Sequence, residues 1–138
     1  MNLTALMTDN ITEILIKIVK FTRKRQKILV QNIINVNRPG FVPRELEVDE
    51  FSNVLNDAID EHVESERLVL CDTRTIKFFA GGDMEVEPIV DNHGERLLRE
   101  NRDEYIEWQI DKLWENALSQ RVAAELLRQK EGAVEVNC

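Results

Sequence analysis

Two long stretches of the chain carry apolar residues at helical spacing, and the segment between them holds only one short run of that kind. In the first stretch Ile11, Ile14, Leu15, Ile18, Thr22, Arg25, Leu29, Ile33 and Val36 recur every three or four residues, the period of one helix face. Thr22 and Arg25 interrupt that stripe midway, so the core there is thin or the arginine finds a partner. Lys17, Lys20, Lys24 and Lys27 share the opposite face. Asn10, with Glu13 three residues on, has capping-box spacing. The pattern therefore predicts a helix over 10–36, with residues 1–9 frayed. At 1.5 Å per residue such a helix is roughly 40 Å long.

Arg38-Pro39-Gly40-Phe41 ends it. Proline cannot continue a helix, the residue before it is pushed toward extended geometry, and Gly40 suits the third position of a type II turn. Residues 37–48 are expected to be turn and extended chain. Asp49 can cap a short helix over 49–63 whose apolar face is Phe51, Val54, Leu55, Ala58, Ile59 and His62. The segment 64–94 has irregular or β character. Leu68-Val69-Leu70-Cys71 and Thr75-Ile76-Lys77-Phe78-Phe79 are strand-like runs, Gly81-Gly82-Asp83 is a turn, and Met84-Glu85-Val86-Glu87 alternates before Pro88, a pattern that allows a small hairpin.

The second helical stretch, 95–131, contains no proline or glycine. Its expected primary face is Ile106, Ile110, Leu113, Ala117, Gln120, Ala124 and Leu127. Glu100, Glu104, Glu107, Asp111 and Glu115 line the far face, and beyond Asp111 a second apolar line appears at Leu118, Val122 and Leu126. A helix apolar on two sides is buried on two sides, and in a chain with one thin core the second side needs a partner. The lysine and carboxylate stripes could face each other, within a subunit or between neighbours, or could simply be two solvated faces.

The fold class that follows is mainly α: one domain with long N- and C-terminal helices forming a coiled-coil-like pair, a short second helix, and a small irregular or β middle. A chain of 138 residues has core enough for one domain and little room for a second. Its net charge of −8 argues against binding nucleic acid, whose phosphates demand a cationic footprint. No leader peptide is expected, because the first ten residues carry no Lys or Arg and no long apolar run follows; no membrane span is expected either.

Little in the sequence points to catalysis or to a cofactor. His62, His93, Cys71 and Asp91 are the candidates for metal chemistry, but close-spaced ligand pairs are missing. His62 fits a core or interface histidine and His93 a turn residue. Gly81-Gly82 lacks the Lys-Ser/Thr continuation of a phosphate loop. Cys71 and Cys138 show no metal spacing, and a disulfide to a terminal residue would be a poor staple. The expectation is a protein without metal, cofactor or catalytic residues.

One motif is more specific. Gln31-Asn32-Ile33-Ile34-Asn35-Val36-Asn37-Arg38-Pro39-Gly40-Phe41 resembles the N-terminal signature of bacterial flagellar axial proteins, in which Asn-Ile-Ala-Asn precedes Thr-Pro-Gly-Tyr. The lead-in Arg25-Gln26-Lys27-Ile28-Leu29 and the later Ile106-Glu107 with Trp114-Glu115-Asn116-Ala117-Leu118 resemble the FlgB-type proximal rod protein of the flagellar basal body. The likeness covers residues 10–62 and 100–131. Ile34, Arg38 and Phe41 stand where the family carries Ala, Thr and Tyr, Gln120 replaces a Tyr, and Asn101-Arg102-Asp103 replaces an Asp-Gly-Asn turn. This is the pattern of a divergent member.

The resemblance implies a structural subunit rather than an enzyme. Such a subunit is exported without a cleaved signal peptide and polymerises through its terminal helices into the periplasmic rod, which links the export apparatus and motor to the distal rod. Its implied partners are other rod proteins, the rod-base adaptor and the export gate, with self-association also allowed. The residues it implicates in assembly are Leu29, Asn32, Ile33, Asn35, Pro39, Gly40, Phe41, Ile106, Leu113 and Asn116, to which the second apolar line adds Leu118, Val122 and Leu126. The alternative from another class is a cytosolic helical adaptor or regulator that pairs through the same helices.

Overall fold

A computed structural model describes the backbone of residues 3–136 and the side chains of residues 10–131. The chain is mainly helical, with long helices at both ends and small sheets between them. Helix α1 (Leu3–Ile34) and helix α4 (Arg102–Val136) form an antiparallel pair that dominates the tertiary contacts. Asn32 meets Gln109, Thr22 meets Asn116, and Leu15 and Val19 pack on Ala123. Helix α2 (Val48–Ser65) crosses over α1, stacking Phe51 on Phe21 with ring centroids 4.0 Å apart. Around that stack Ile14, Leu46, Leu55, Ile76 and Val86 complete the main core.

Helix α1 starts well before Asn10, so Asn10 is not its cap. Asn10 instead lies mid-helix, and its amide donates to the Glu66 carbonyl (3.1 Å) and meets Nδ1 of His62 (3.2 Å). The helix tightens into a 3-10 turn at Asn35–Asn37 before Arg38 goes extended. Pro39 and Gly40 then form the expected type II turn, with Gly40 at φ 75° and the Phe41 amide donating to the Arg38 carbonyl (3.1 Å).

The stripe predicted for α1 is rotated in the structure. Ile14, Leu15, Thr22, Arg25 and Leu29 are buried as expected, but Ile11 is exposed while Lys17, Val19, Phe21 and Asn32 are buried. The rotation arises because two surfaces cover α1, α4 on one side and the middle segment on the other. Lys17, placed by the sequence pattern opposite the apolar stripe, is 2% exposed. It pairs with Glu13 (2.6 Å) and, with Lys20, donates to the Gly82 carbonyl, while Lys24 donates to the Val86 carbonyl. Within the subunit the lysine face therefore meets backbone carbonyls and not the carboxylate stripe.

Those carbonyls belong to a hairpin of β2 (Ile76–Phe78) and β3 (Met84–Val86), closed by Gly81 and Gly82 at positive φ. Leu68–Cys71, expected to be a strand, is not one. A second antiparallel pair, β1 (Arg44–Glu45) with β4 (Ile89–Val90), sets Arg44 opposite Val90 and Glu45 opposite Ile89. Helix α2 begins one residue before Asp49, which with Glu50 places negative charge on its first turn. Its Phe51, Val54, Leu55, Ala58 and His62 are buried, and Ile59 is exposed.

The predicted continuous helix over 95–131 is two helices, α3 (Asn92–Glu100) and α4. Asn101 separates them in an extended conformation, and its side-chain oxygen accepts from the Glu104 amide (3.2 Å), so one residue stops α3 and caps α4. His93, expected in a turn, lies in the first turn of α3, with its ring edge-on to Trp108.

Candidate assembly surface

The face of α4 that packs against α1 is polar. Tyr105, Gln109, Lys112, Asn116 and Ala123 form the buried seam, at spacings of four, three, four and seven. The expected primary face lies beside this seam on one flank: Ile106, Leu113 and Leu127 are half-buried, whereas Ile110, Ala117 and Ala124 are exposed. Helical periodicity placed the apolar face one position away from the seam because the seam's own residues are hydrophilic.

Asn32 is the central lock of that seam. Its amide donates to the Arg44 carbonyl (2.8 Å) and to Oε1 of Gln109 (3.0 Å), and its side-chain oxygen accepts from the Arg44 amide (3.1 Å). The hydroxyl of Tyr105 donates to the Asn32 carbonyl (2.7 Å). Burial, reinforced by the nearby Asp91 charge, raises the Tyr105 pKa to about 12. Asn35 is half-buried; its amide donates to Gln31 and its carbonyl accepts from the Arg38 amide. Leu29 is fully buried, Ile33 and Phe41 are half-buried, and Pro39 and Gly40 lie on the surface. The motif thus acts inside the subunit, joining the end of α1 to β1 and to the start of α4.

Next to the lock lies a charge network that the sequence reading did not assemble. Arg25 donates to both carboxylate oxygens of Glu45 (3.1 Å each), Lys112 reaches Glu45 (3.2 Å) and Asp91 (2.8 Å), and the Trp108 indole donates to Asp91 (3.4 Å). Asp91 also caps α3 by accepting from the Gly94 amide (2.9 Å). Burial pushes the Asp91 carboxyl up, but the hydrogen bonds from Lys112 and Gly94 and the ammonium charge outweigh it and hold the pKa below its usual value. Of the two alternatives for the interrupted stripe, a thin core or a partner for Arg25, the structure shows the partner. Glu45, Asp91 and Lys112 come together only through the β1–β4 pairing, which no local pattern encodes.

The two flanks of α4 have different neighbours. On one side Ile110, Leu113, Trp114 and Ala117 line a small depression with Gln26 and Val30 of α1. On the other, an open apolar groove of about 500 Å³ lies between α1, α2 and α4. Ile18 and Phe21 of α1 and Phe51 and Leu55 of α2 line it, together with Leu118, Val122 and Leu126. These last three are 66%, 51% and 45% exposed. They form the second apolar line of the sequence, and among the described residues none fills the groove beside it. At one end of the groove Asn116 is 2% exposed, donates to the Thr22 carbonyl (2.7 Å), and leaves its side-chain oxygen without a hydrogen-bond partner.

The carboxylates continue the same line. Glu104, Glu107, Asp111, Glu115, Leu118, Val122 and Leu126 follow one another at spacings of three, four, four, three, four and four, which keeps all seven on one stripe of α4. All seven are exposed. Among the described residues the four acids make a single ion pair, a 3.9 Å approach of Glu115 to Arg25.

His62, the former metal candidate, is buried against Asn10, and Cys71 is exposed. Among the described residues no three His, Cys, Asp or Glu side chains are grouped so as to hold a metal ion, and no helix is long and apolar enough to cross a membrane. Comparison with protein-family models, with curated proteins and with solved structures gave no match.

Proposed function

We propose that the chain is a structural assembly subunit, and specifically a divergent rod protein of the bacterial flagellar basal body. The observation that carries the assembly reading is the unfilled apolar groove walled by Leu118, Val122 and Leu126. Surface of this kind gains free energy when a partner removes it from water, about 25 cal/mol for each Å² covered. The rod reading adds the motif around Asn32, Pro39 and Gly40, and the antiparallel pairing of the terminal helices agrees with it. In this reading the subunit reaches the periplasm through the flagellar export channel and catalyses no reaction. It meets other rod proteins, the rod-base adaptor and the export gate.

Fractionation of hook–basal bodies tests the location, and the chain should co-purify with them. A double variant Leu118→Glu/Val122→Glu, made on exposed positions, should keep a near-normal unfolding midpoint and abolish assembly and swimming. Normal motility in that variant would end the assembly role of this face. The second reading, an adaptor or regulator in the cytosol that uses the same groove, predicts absence from basal bodies and full recovery in the soluble fraction.

A further inference from the structure

We infer that the groove and the acidic row together form one docking strip for a helix of another protein, one that carries Lys or Arg along half its length and apolar residues along the other half. The inference rests on the assembly reading of the groove and adds the chemistry of the occupant.

The strip is the seven-residue stripe of α4, acidic from Glu104 to Glu115 and apolar from Leu118 to Leu126, and about 33 Å long at 1.5 Å per residue. Like charges at these spacings weaken an isolated helix by about 0.2–0.5 kcal/mol per pair. The N-terminus of α4 favours the Glu104 charge, but Glu107 and Asp111 lie beyond the first turn and, like Glu104, make no ion pair within the described part of the chain. A cationic partner would offset the repulsion. The apolar half supplies the hydrophobic contact, because Leu118, Val122 and Leu126 wall a groove already floored by α1 and α2. Where the halves meet, Asn116 belongs to the groove lining, and its side-chain oxygen has no hydrogen-bond partner among the described residues.

A second copy of this chain fits poorly. Each copy carries a net charge of −8, and Lys17, Lys20 and Lys24 of its own α1 are engaged by the Gly82 and Val86 carbonyls. Arg23 and Lys27 of α1 are exposed, but two copies of like net charge repel each other, so we assign the complementary charge to a different chain.

Two synthetic helical peptides long enough to cover the strip test this. They share one apolar half, and the other half carries lysines in one peptide and glutamates in its counterpart. The intact chain should bind the lysine peptide at least about tenfold more tightly, a difference of about 1.4 kcal/mol, and that preference should shrink as salt is raised. Glu107→Lys/Asp111→Lys should remove the preference, and Leu118→Glu/Val122→Glu should remove binding of both peptides.

Equal binding of the two peptides, lost only in the groove variant, would overturn the charge assignment and leave the assembly reading standing. Binding of neither peptide would overturn the strip as a helix-docking site. Self-association that survives Glu107→Lys/Asp111→Lys and competes with the lysine peptide would make the occupant a second copy and overturn the inference of a different chain.

Discussion

A buried amide ties three parts of this structure together. Asn32 bridges the backbone of Arg44 and the side chain of Gln109, and its own carbonyl is held by Tyr105. Asn32→Ala should cost about 3 kcal/mol, because it removes the three side-chain bonds to Arg44 and Gln109 and strands their partner groups, while the Tyr105 bond to the main-chain carbonyl remains. A urea unfolding midpoint would measure it, and an unchanged midpoint would remove Asn32 from the lock. Tyr105→Phe should cost about 1 kcal/mol. The raised pKa of Tyr105 also sets a direction with pH. The folded state keeps the phenol proton more tightly, so that stability is fully present below the ordinary tyrosine value near 10 and lost as pH rises toward about 12. The phenylalanine variant should lose this alkaline decline. Asp91 works in the opposite sense. Its lowered pKa means stability present above the ordinary carboxylate value near 4 and lost as pH falls through the depressed one. Asp91→Asn should flatten the acid limb and cost about 3 kcal/mol by leaving Lys112 with one carboxylate fewer in a buried site.

At the scale of elements, what could be read in the sequence followed a physical division. The turn at Pro39-Gly40 was legible because proline and positive-φ glycine impose their geometry locally. Gly40→Ala should accordingly cost about 1 kcal/mol in thermal unfolding, with nothing near the added methyl to blame but the backbone. The hairpin was legible from Gly81-Gly82 and the alternation around it. The break at Asn101 was not legible from helical periodicity, since Asn interrupts a helix only when its side chain finds a backbone amide to cap, as it does at Glu104. The seam of α4 was hidden for a related reason. Hydropathy expects apolar residues to face inward, and here Gln109, Lys112 and Asn116 do so because α1, β1 and the α3 cap supply their partners. The groove line at Leu118, Val122 and Leu126 was visible beforehand, because exposed leucines at helical spacing are conspicuous in any sequence.

For the whole molecule, the order of protection should follow this arrangement. Backbone amides of α1 and α4 near Asn32, Tyr105 and Gln109, where both the lock and the charge network hold them, should exchange hydrogen most slowly. Those on α4 beside Leu118 to Leu126 should exchange faster in the free chain and gain protection when the groove is filled. Uniform protection along α4 in dilute solution would contradict the groove as an unfilled surface. The same arrangement explains how a chain this acidic buries several basic side chains. Arg25 and Lys112 share Glu45, Asp91 completes the network, and Lys17 has Glu13 and the Gly82 carbonyl, so the unpaired negative charge is left on the outside. Glu104, Glu107 and Asp111 of the α4 stripe are part of it.

The spacing of the stripe works as a ruler. Residues repeating as three, four and four complete an eleven-residue period, close to the natural twist of a straight helix, so the stripe runs almost parallel to the axis. One period along, the chemistry changes from carboxylate to hydrocarbon. A rod-shaped ligand displaced lengthwise by one period would lay ammonium groups on leucine, or methyl groups on aspartate, and both mismatches cost free energy through lost hydration or uncompensated charge. Lengthwise alignment is therefore encoded by the order of two surface types along one helix, and a single seating is favoured over its shifted alternatives.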